Sequence, residues 1–192
     1  MMCAQNKETF NRTLLRSGML VCLFLVGCGD KYYYLGNAHM KKGLYDRAIS
    51  DFNKALEIDP EHSMAYNNRG NAYGAKGLYD LAISDFNKAL EIDPRYATAY
   101  NNRGYAYNAK GFFDLAISDF NKALDINPRY ADAYNNRGHA YYNKQEYNKA
   151  WEDVHKTQDL DFQVHPEYLN DLREASGKEK GSSQTAPAQS FN

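Results

Sequence analysis

The sequence predicts an all-α protein, a solenoid of four helix-turn-helix repeats followed by a C-terminal capping helix. Two neighbouring segments, residues 65–98 and 99–132, are identical at 27 of 34 positions, and the period continues on both sides. Each period holds two patterns typical of helices. A repeat of this length indicates stacked units that share one continuous core, so most of the chain is scaffold.

The four repeats are residues 29–62, 63–96, 97–130 and 131–164. In the second repeat we expect the first helix over about 64–76 and the second over about 79–92. Gly77 stands between them, where a helix end favours a residue that tolerates positive φ. Pro94 ends the second helix, because proline disfavours the α conformation of the residue before it.

Small and large residues recur in columns that we expect to form the core. The small ones are Gly36, Gly70, Gly104 and Gly138 on the first helices, and the large ones are Phe52, Phe86 and Phe120 on the second helices. The fourth repeat departs from the pattern, with Val154 in the phenylalanine column and Phe162 where a proline is expected. Such departures are common in terminal repeats, which cap a stack.

With these columns, and with Tyr66, Tyr73, Pro94 and their equivalents, residues 29–164 resemble the tetratricopeptide repeat family. The resemblance implies a right-handed superhelix of antiparallel helix pairs, whose concave groove is lined by the first helix of each pair. Some members of the family grip a C-terminal carboxylate with groove Lys and Arg side chains. The matching positions here are Tyr and Asn, so the resemblance does not extend to that activity.

An arginine occupies a position of the first helices where the family usually has leucine. The residues are Arg69, Arg103 and Arg137, while the first repeat has Leu35. A partly buried arginine needs a partner, and an aspartate recurs on every second helix. We therefore hypothesise ion pairs between neighbouring repeats, namely Asp51–Arg69, Asp85–Arg103 and Asp119–Arg137.

Residues 1–27 are predicted to be a signal peptide. Basic side chains precede an apolar run at residues 19–26, which is shorter than the about 20 residues that a membrane span needs. The run ends in the motif LVGC at residues 25–28, which resembles the lipobox of bacterial lipoproteins. The resemblance implies cleavage before Cys28, acylation of that residue and a stable lipid anchor. The alternative is an uncleaved N-terminal anchor helix.

The residues around Cys28 indicate the compartment. Cleavage would remove Cys3 and Cys22, which would leave no free thiol in an oxidising compartment. In some bacteria an Asp directly after the lipidated cysteine retains a lipoprotein at the inner membrane. Here Asp30 comes one place later, so the sequence favours a periplasm-facing protein of the outer membrane over one of the inner membrane.

Composition argues against several classes of function. Without residues 1–27, 20 Lys and Arg stand against 23 Asp and Glu with no basic block, which argues against a nucleic-acid partner. The five histidines show no metal-ligand spacing, and the repeats contain no phosphate loop and no nucleophile motif. We therefore expect neither an enzyme nor a metal or cofactor site.

The C-terminal region follows the last repeat. Residues 165–176 are predicted to form the capping helix, with Pro166 in its first turn and Tyr168, Leu169 and Leu172 against the last repeat. Residues 177–192 lack apolar periodicity and are predicted to be a disordered tail.

The concave groove is the candidate binding site, and asparagines dominate its predicted face. An asparagine amide donates to a peptide carbonyl and accepts from a peptide N–H, so a column of them can hold an extended backbone. With helices about 8–10 Å apart and a rise of about 3.3 Å per residue, each repeat would match roughly three peptide residues. The candidates are Asn68, Asn102 and Asn136, then Asn67, Asn101 and Asn135, and in a further column Asn71, Tyr105 and His139. In the alternative interpretation, an asparagine of the repeated YNNRG motif only caps or bridges neighbouring helices.

These observations predict a membrane-anchored adaptor of the bacterial cell envelope that binds a segment of a partner protein in its groove. The alternative function is a lipoprotein assembly factor, similar to those that serve pilus secretins or outer-membrane protein insertion, acting on a folded partner. A regular solenoid can also stack end to end, so self-association through Tyr32–Tyr34 is a further possibility.

Overall fold

The computed structural model describes residues 18–177, with side chains from Gly29 onward. This part of the chain contains nine helices and no strand. The helices are α1 Gly18–Lys41, α2 Tyr45–Ile58, α3 Ser63–Ala75, α4 Tyr79–Ile92, α5 Ala97–Ala109, α6 Phe113–Ile126, α7 Ala131–Asn143, α8 Tyr147–Asp159 and α9 Pro166–Ser176. The predicted all-α architecture of four helix pairs and one further helix is confirmed.

Parts of the predicted signal peptide and tail, residues 1–17 and 178–192, lie outside the described residues. Helix α1 runs without interruption from Gly18 to Lys41 and so passes through Cys28. Within residues 18–177, no helix combines the length and the apolar character that crossing a membrane requires. Cleavage and lipidation at Cys28 stay predictions.

The chain divides after Pro128 into two compact units. The first unit contains α1 to α6, in which each helix packs against the next along the chain. The second unit contains α7 to α9, with α8 packed against both α7 and α9.

In the first unit, the glycine and phenylalanine columns meet. A Cβ atom on Gly70 would lie 2.7 Å from the ring of Phe86, and one on Gly104 would lie 2.8 Å from the ring of Phe120. Both phenylalanines are buried. The paired helices therefore approach this closely only because the first helix carries no side chain at the crossing.

The turns form as their residues predict. Gly77 ends α3 at φ 74°, a left-handed conformation that suits glycine. Asp93 is extended before Pro94 and ends α4, and its Oδ1 accepts a hydrogen bond from the backbone N–H of Arg95 at 3.0 Å. In the last repeat Gln145 takes the place of the glycine and still adopts φ 63°.

The arginines pair with aspartates, but the hypothesised register is wrong. Arg69 donates from Nε and Nη2 to Asp85 at 2.7 and 2.6 Å, and Arg103 binds Asp119 in the same bidentate way. The observed pairs are Arg69–Asp85, Arg103–Asp119 and Arg137–Asp153, not Asp51–Arg69, Asp85–Arg103 and Asp119–Arg137. Each arginine faces the second helix of its own pair, so the aspartate lies in the same repeat.

A third contact links each arginine of the first unit to the repeat before it. Nη1 of Arg69 donates to Asn53 at 2.7 Å, and Nη1 of Arg103 donates to Asn87 at 2.6 Å. The first repeat has no such arginine, and its Asp51 lies 2.7 Å from Nδ1 of His39. Burial alone would lower the pKa of Arg69, but the hydrogen bond and charge of Asp85 raise the pKa above its usual value.

In the second unit, α9 covers the last helix pair. Tyr168 and Leu172 are buried in a cluster with Ala150, Val154 and Val164. A Cβ atom on Gly138 would lie 3.1 Å from the Tyr168 hydroxyl, whereas the glycines of the other repeats face a phenylalanine ring. Tyr168 thus occupies the space that the smaller Val154 leaves, and the predicted capping helix is confirmed.

Candidate functional site

The asparagines of the first helices are hydrogen-bonded to one another along the first unit. The Nδ2 group of Asn68 donates to Oδ1 of Asn37 at 2.8 Å and to the Tyr33 hydroxyl at 3.3 Å. One repeat further on, Nδ2 of Asn102 donates to Oδ1 of Asn67 at 3.0 Å. The amides therefore link α1 to α3 and α3 to α5 and are held in fixed orientations.

Asn67 and Asn101 connect this network within a helix. Nδ2 of Asn67 donates to Oδ1 of Asn68 at 3.0 Å, and Nδ2 of Asn101 donates to Oδ1 of Asn102 at 3.4 Å. Asn67 is 2% exposed and Asn101 is 6% exposed, although the sequence placed both on the groove surface. These two side chains position the amides of their neighbours from within the helix interface.

Asn68 and Asn102 are half-buried, so the column that they form reaches the surface. Asn102 uses one of its two amide hydrogens on Asn67, and the second has no partner among the described residues. In the second unit, Asn135 and Asn136 are also half-buried. The structure thus brings Asn68 and Asn102 into one hydrogen-bonded network.

A cavity of about 190 Å³ opens beside this network in the first unit. Three predicted site residues line it together, Asn71 and Asn102 and Tyr105. Gly74, Tyr79 and Phe86 complete most of its wall, with two alanines. None of the lining side chains is charged, so the cavity suits an uncharged group.

The equivalent residue of the second unit, His139, is less accessible than the sequence indicated. Its ring stacks on Tyr168 of the capping helix, with ring centroids 3.7 Å apart. Burial lowers the pKa of His139, which favours the neutral ring. Tyr142 also packs against Tyr168, so the capping helix covers this surface in the second unit.

Sequence reasoning missed the contribution of Gly74, Tyr79 and Phe86 to the cavity. A signal was present, because the position of Gly74 holds Met40, Asn108 and Tyr142 in the other repeats. Within the described part of the chain, no three His, Cys, Asp or Glu side chains are grouped as metal ligands would be. The arrangement offers hydrogen bonds and apolar contact to a ligand.

The repeats define a class of protein. Models of the tetratricopeptide repeat match residues 30–62, 63–96 and 86–117, and a TPR repeat model matches residues 104–145. The chain therefore belongs to the tetratricopeptide repeat family, whose fold is a scaffold for protein–protein interaction. No curated protein matches the sequence significantly.

Solved structures of the same fold are similar to this chain. MamA from Desulfovibrio magneticus RS-1 is 27% identical with a TM-score of 0.64, over 69% of this chain and 75% of that one. TTC0263, a thermophilic TPR protein of Thermus thermophilus, is 26% identical with a TM-score of 0.66, over 77% and 80%. The first TPR domain of Spaghetti (RPAP3), bound to the HSP90 peptide SRMEEVD, is 28% identical with a TM-score of 0.59, over 60% and 92%.

Proposed function

We propose that this protein is a lipid-anchored adaptor of the bacterial cell envelope that holds an extended segment of a partner protein against its first helices. The fold supports the interaction role, and Spaghetti, of the same fold, is bound to a peptide. The lipobox-like motif at residues 25–28 supports the anchor. Binding, rather than catalysis, is the proposed mechanism.

The observation that carries this proposal is the asparagine network of the first unit. Fixed amides that already have their orientation bind a peptide backbone with little further loss of side-chain entropy. The second amide hydrogen of Asn102 is available to a peptide carbonyl. We therefore place the extended segment along the first unit with its backbone held at Asn102, since both amide hydrogens of Asn68 are already donated to Asn37 and Tyr33.

Capture from envelope extract tests the groove. The bait is the full-length chain in mild detergent, compared with a triple Asn68/Asn102/Asn136→Ala variant. The matched control is Ser50/Ser84/Ser118→Ala, because these serines recur at one exposed position of the second helices. Circular dichroism checks that all three proteins are equally helical. The proposal expects the partner to be lost only by the asparagine variant, and retention by all three overturns groove binding.

Acylation in the bacterial host tests the anchor. We expect radiolabelled palmitate to enter the wild-type chain and the Cys22→Ser variant, but not the Cys28→Ser variant. Membrane fractions separated by density then assign the inner or the outer membrane. Membrane attachment of an unlabelled chain that retains residues 1–27 contradicts the lipid anchor and supports the uncleaved helix.

One observation favours an assembly factor that binds a folded partner. Leu78, Leu81, Phe112 and Leu115, at the starts of the second helices, are between 42% and 52% exposed. Leu81 and Leu115 belong to the second and third repeats. The equivalent positions of the first and fourth repeats hold Arg47 and Lys149. If Leu81→Lys/Leu115→Lys abolishes capture while the asparagine variant retains it, the partner binds this apolar surface instead of the groove.

A further inference from the structure

Gly74 lies in the last turn of α3, and neither backbone conformation nor packing accounts for it. Its φ is not positive, unlike that of Gly77 three residues later. A Cβ atom at Gly74 would meet no atom within 4 Å, whereas one at Gly70 would lie 2.7 Å from Phe86. Glycine is a poor helix former, so at this position it weakens α3 without a gain in packing.

Gly74 lines the cavity beside the asparagine network, and the position of its missing Cβ atom is open. Of the four repeats, only the second has glycine at this position, and the others carry Met40, Asn108 and Tyr142. A side chain of those sizes would occupy open space at the wall of the cavity. A residue that breaks a local rule without structural compensation is a marker of function.

The cavity has the size and chemistry of a site for one aromatic side chain. Its volume is about 190 Å³, and a protein cavity of about 150 Å³ is known to bind benzene. Its aromatic residues are Tyr79, Phe86 and Tyr105, and aromatic rings pack favourably against one another. A charged side chain would find no opposite charge in the wall and would lose its hydration.

The polar groups of the wall orient such a ligand. The Asn71 amide has no hydrogen-bond partner among the described residues, and Tyr105 is 56% exposed at the same site. Asn102 lines the cavity while its amide also belongs to the asparagine network. A backbone held at Asn102 would thus direct one of its side chains towards Gly74.

We infer that the second repeat selects partner segments that carry an uncharged aromatic residue, Phe or Tyr, whose ring enters the cavity beside Gly74. This inference rests on the proposed groove function. The asparagines alone would bind a peptide backbone of any sequence. The cavity adds a preference for an aromatic side chain.

Selection from a phage-displayed library of random ten-residue peptides tests the inference. The target is the full-length chain in mild detergent, and the strongest peptide is then synthesised with and without its aromatic residue changed to Ala. Affinities are measured on the wild type and on two variants. Gly74→Met fills the cavity with the residue of the first repeat, and Gly74→Ala leaves most of it open. Both variants are expected to fold, because no atom lies within 4 Å of the new Cβ.

We expect removal of the aromatic residue to weaken binding to the wild type and to Gly74→Ala by about tenfold or more. The Gly74→Met substitution should weaken binding of the parent peptide to a similar extent. For the peptide that carries Ala instead, the Gly74→Met variant and the wild type should have similar affinities. Selected peptides without a preferred aromatic residue, or equal affinity for Gly74→Met and the wild type, overturn the inference.

The asparagine variant separates this result from a failure of the proposed function. If selected peptides depend on Asn68, Asn102 and Asn136 but not on Gly74, groove binding stands and only the aromatic specificity is wrong. If the wild type selects no peptide that depends on these asparagines, the groove function and the aromatic specificity are both overturned.

Discussion

The largely buried guanidinium of Arg103 is neutralised by one carboxylate, that of Asp119. Its side chain is 16% exposed and that of Asp119 is 5% exposed, so both groups have lost most of their hydration. Two hydrogen bonds from Arg103 to Asp119, both of 2.7 Å, offset this loss. The guanidinium also lies 5.5 Å from the ring centroid of Tyr100, which adds a cation–π contact.

Asp119→Ala should therefore destabilise the first unit strongly. Removal of one partner leaves the other charge buried and unpaired, at a cost of about 3 kcal/mol. Asp80→Ala is the control, because that carboxylate pairs with Lys110 but is 84% exposed, and exposed pairs contribute at most about 1 kcal/mol. Urea unfolding followed by circular dichroism measures both variants. Equal losses would show that the buried pair has no special role.

His139, which stacks on Tyr168 of the capping helix, makes the stability of the second unit depend on pH. Burial lowers the pKa of His139 in the folded state, whereas a histidine in the unfolded chain has a pKa of about 6.5. As pH falls through this range the unfolded chain binds more protons than the folded chain, so stability is lost. We expect the melting temperature of the wild type to decrease more than that of His139→Gln between pH 7.5 and 5.5. Parallel decreases in the two proteins would contradict this role.

At the scale of elements, the capping helix supplies Tyr168 to the core of the last repeat, where Val154 stands in place of phenylalanine. The hydroxyl of Tyr168 is buried as a result. Tyr168 is 5% exposed, and its hydroxyl has no hydrogen-bond partner among the described residues. Its ring nevertheless packs in the cluster with Val154 and Leu172. The two parts of this side chain therefore have opposite effects on the stability of the second unit.

Tyr168→Phe should stabilise the second unit by about 1 kcal/mol, because it removes an unsatisfied buried polar group. Tyr168→Ala should destabilise it by about 3 kcal/mol through loss of packing. Trp151 is the only tryptophan of the chain, packs against this cluster and donates from Nε1 to Ser176 at 3.1 Å. Its fluorescence during thermal unfolding reports the capping helix directly. A loss of stability in Tyr168→Phe would mean that the hydroxyl has a favourable partner.

The helices and core were predictable because each depends on residues within one period. Glycine, alanine and phenylalanine columns fix which faces meet, whatever the exact angle between helices. The ion-pair register was not predictable in this way. Arg69 lies 16 residues before Asp85 and 18 residues after Asp51, and the period of 34 makes both choices recur in every repeat. Only the direction of the arginine in three dimensions decides between them.

The candidate site was predictable in part for a similar reason. Helical spacing placed Asn68 and Asn102 at the surface of the first helices, where they lie. It did not show that Asn67 turns into the contact between α3 and α5, since that depends on the neighbouring helix. The cavity was missed because it arises from an absent side chain, at Gly74, which only a comparison between repeats reveals.

At the scale of the whole molecule, the repeat period predicts that one repeat can be removed. Deletion of residues 63–96 joins the first repeat to the third in register. Arg103 then keeps Asp119, and Asn53 takes the place of Asn87 as its acceptor, as it already does for Arg69. Three repeats remain, which is about the minimum for a stable stack. We expect a folded chain with fewer helical residues and a lower melting temperature.

A deletion of residues 70–100 is the matched control, since it removes 31 residues and breaks the period by three residues inside a helix. It places Asn68 where the buried Ala99 stands, five residues before Gly104, so we expect a larger loss of stability and less cooperative unfolding in circular dichroism. Because the stability of a solenoid is a sum of repeat and nearest-neighbour contributions, the two deletions should differ sharply despite their similar length. If both unfold alike, the stability of the stack does not depend on the buried small residues of the first helices.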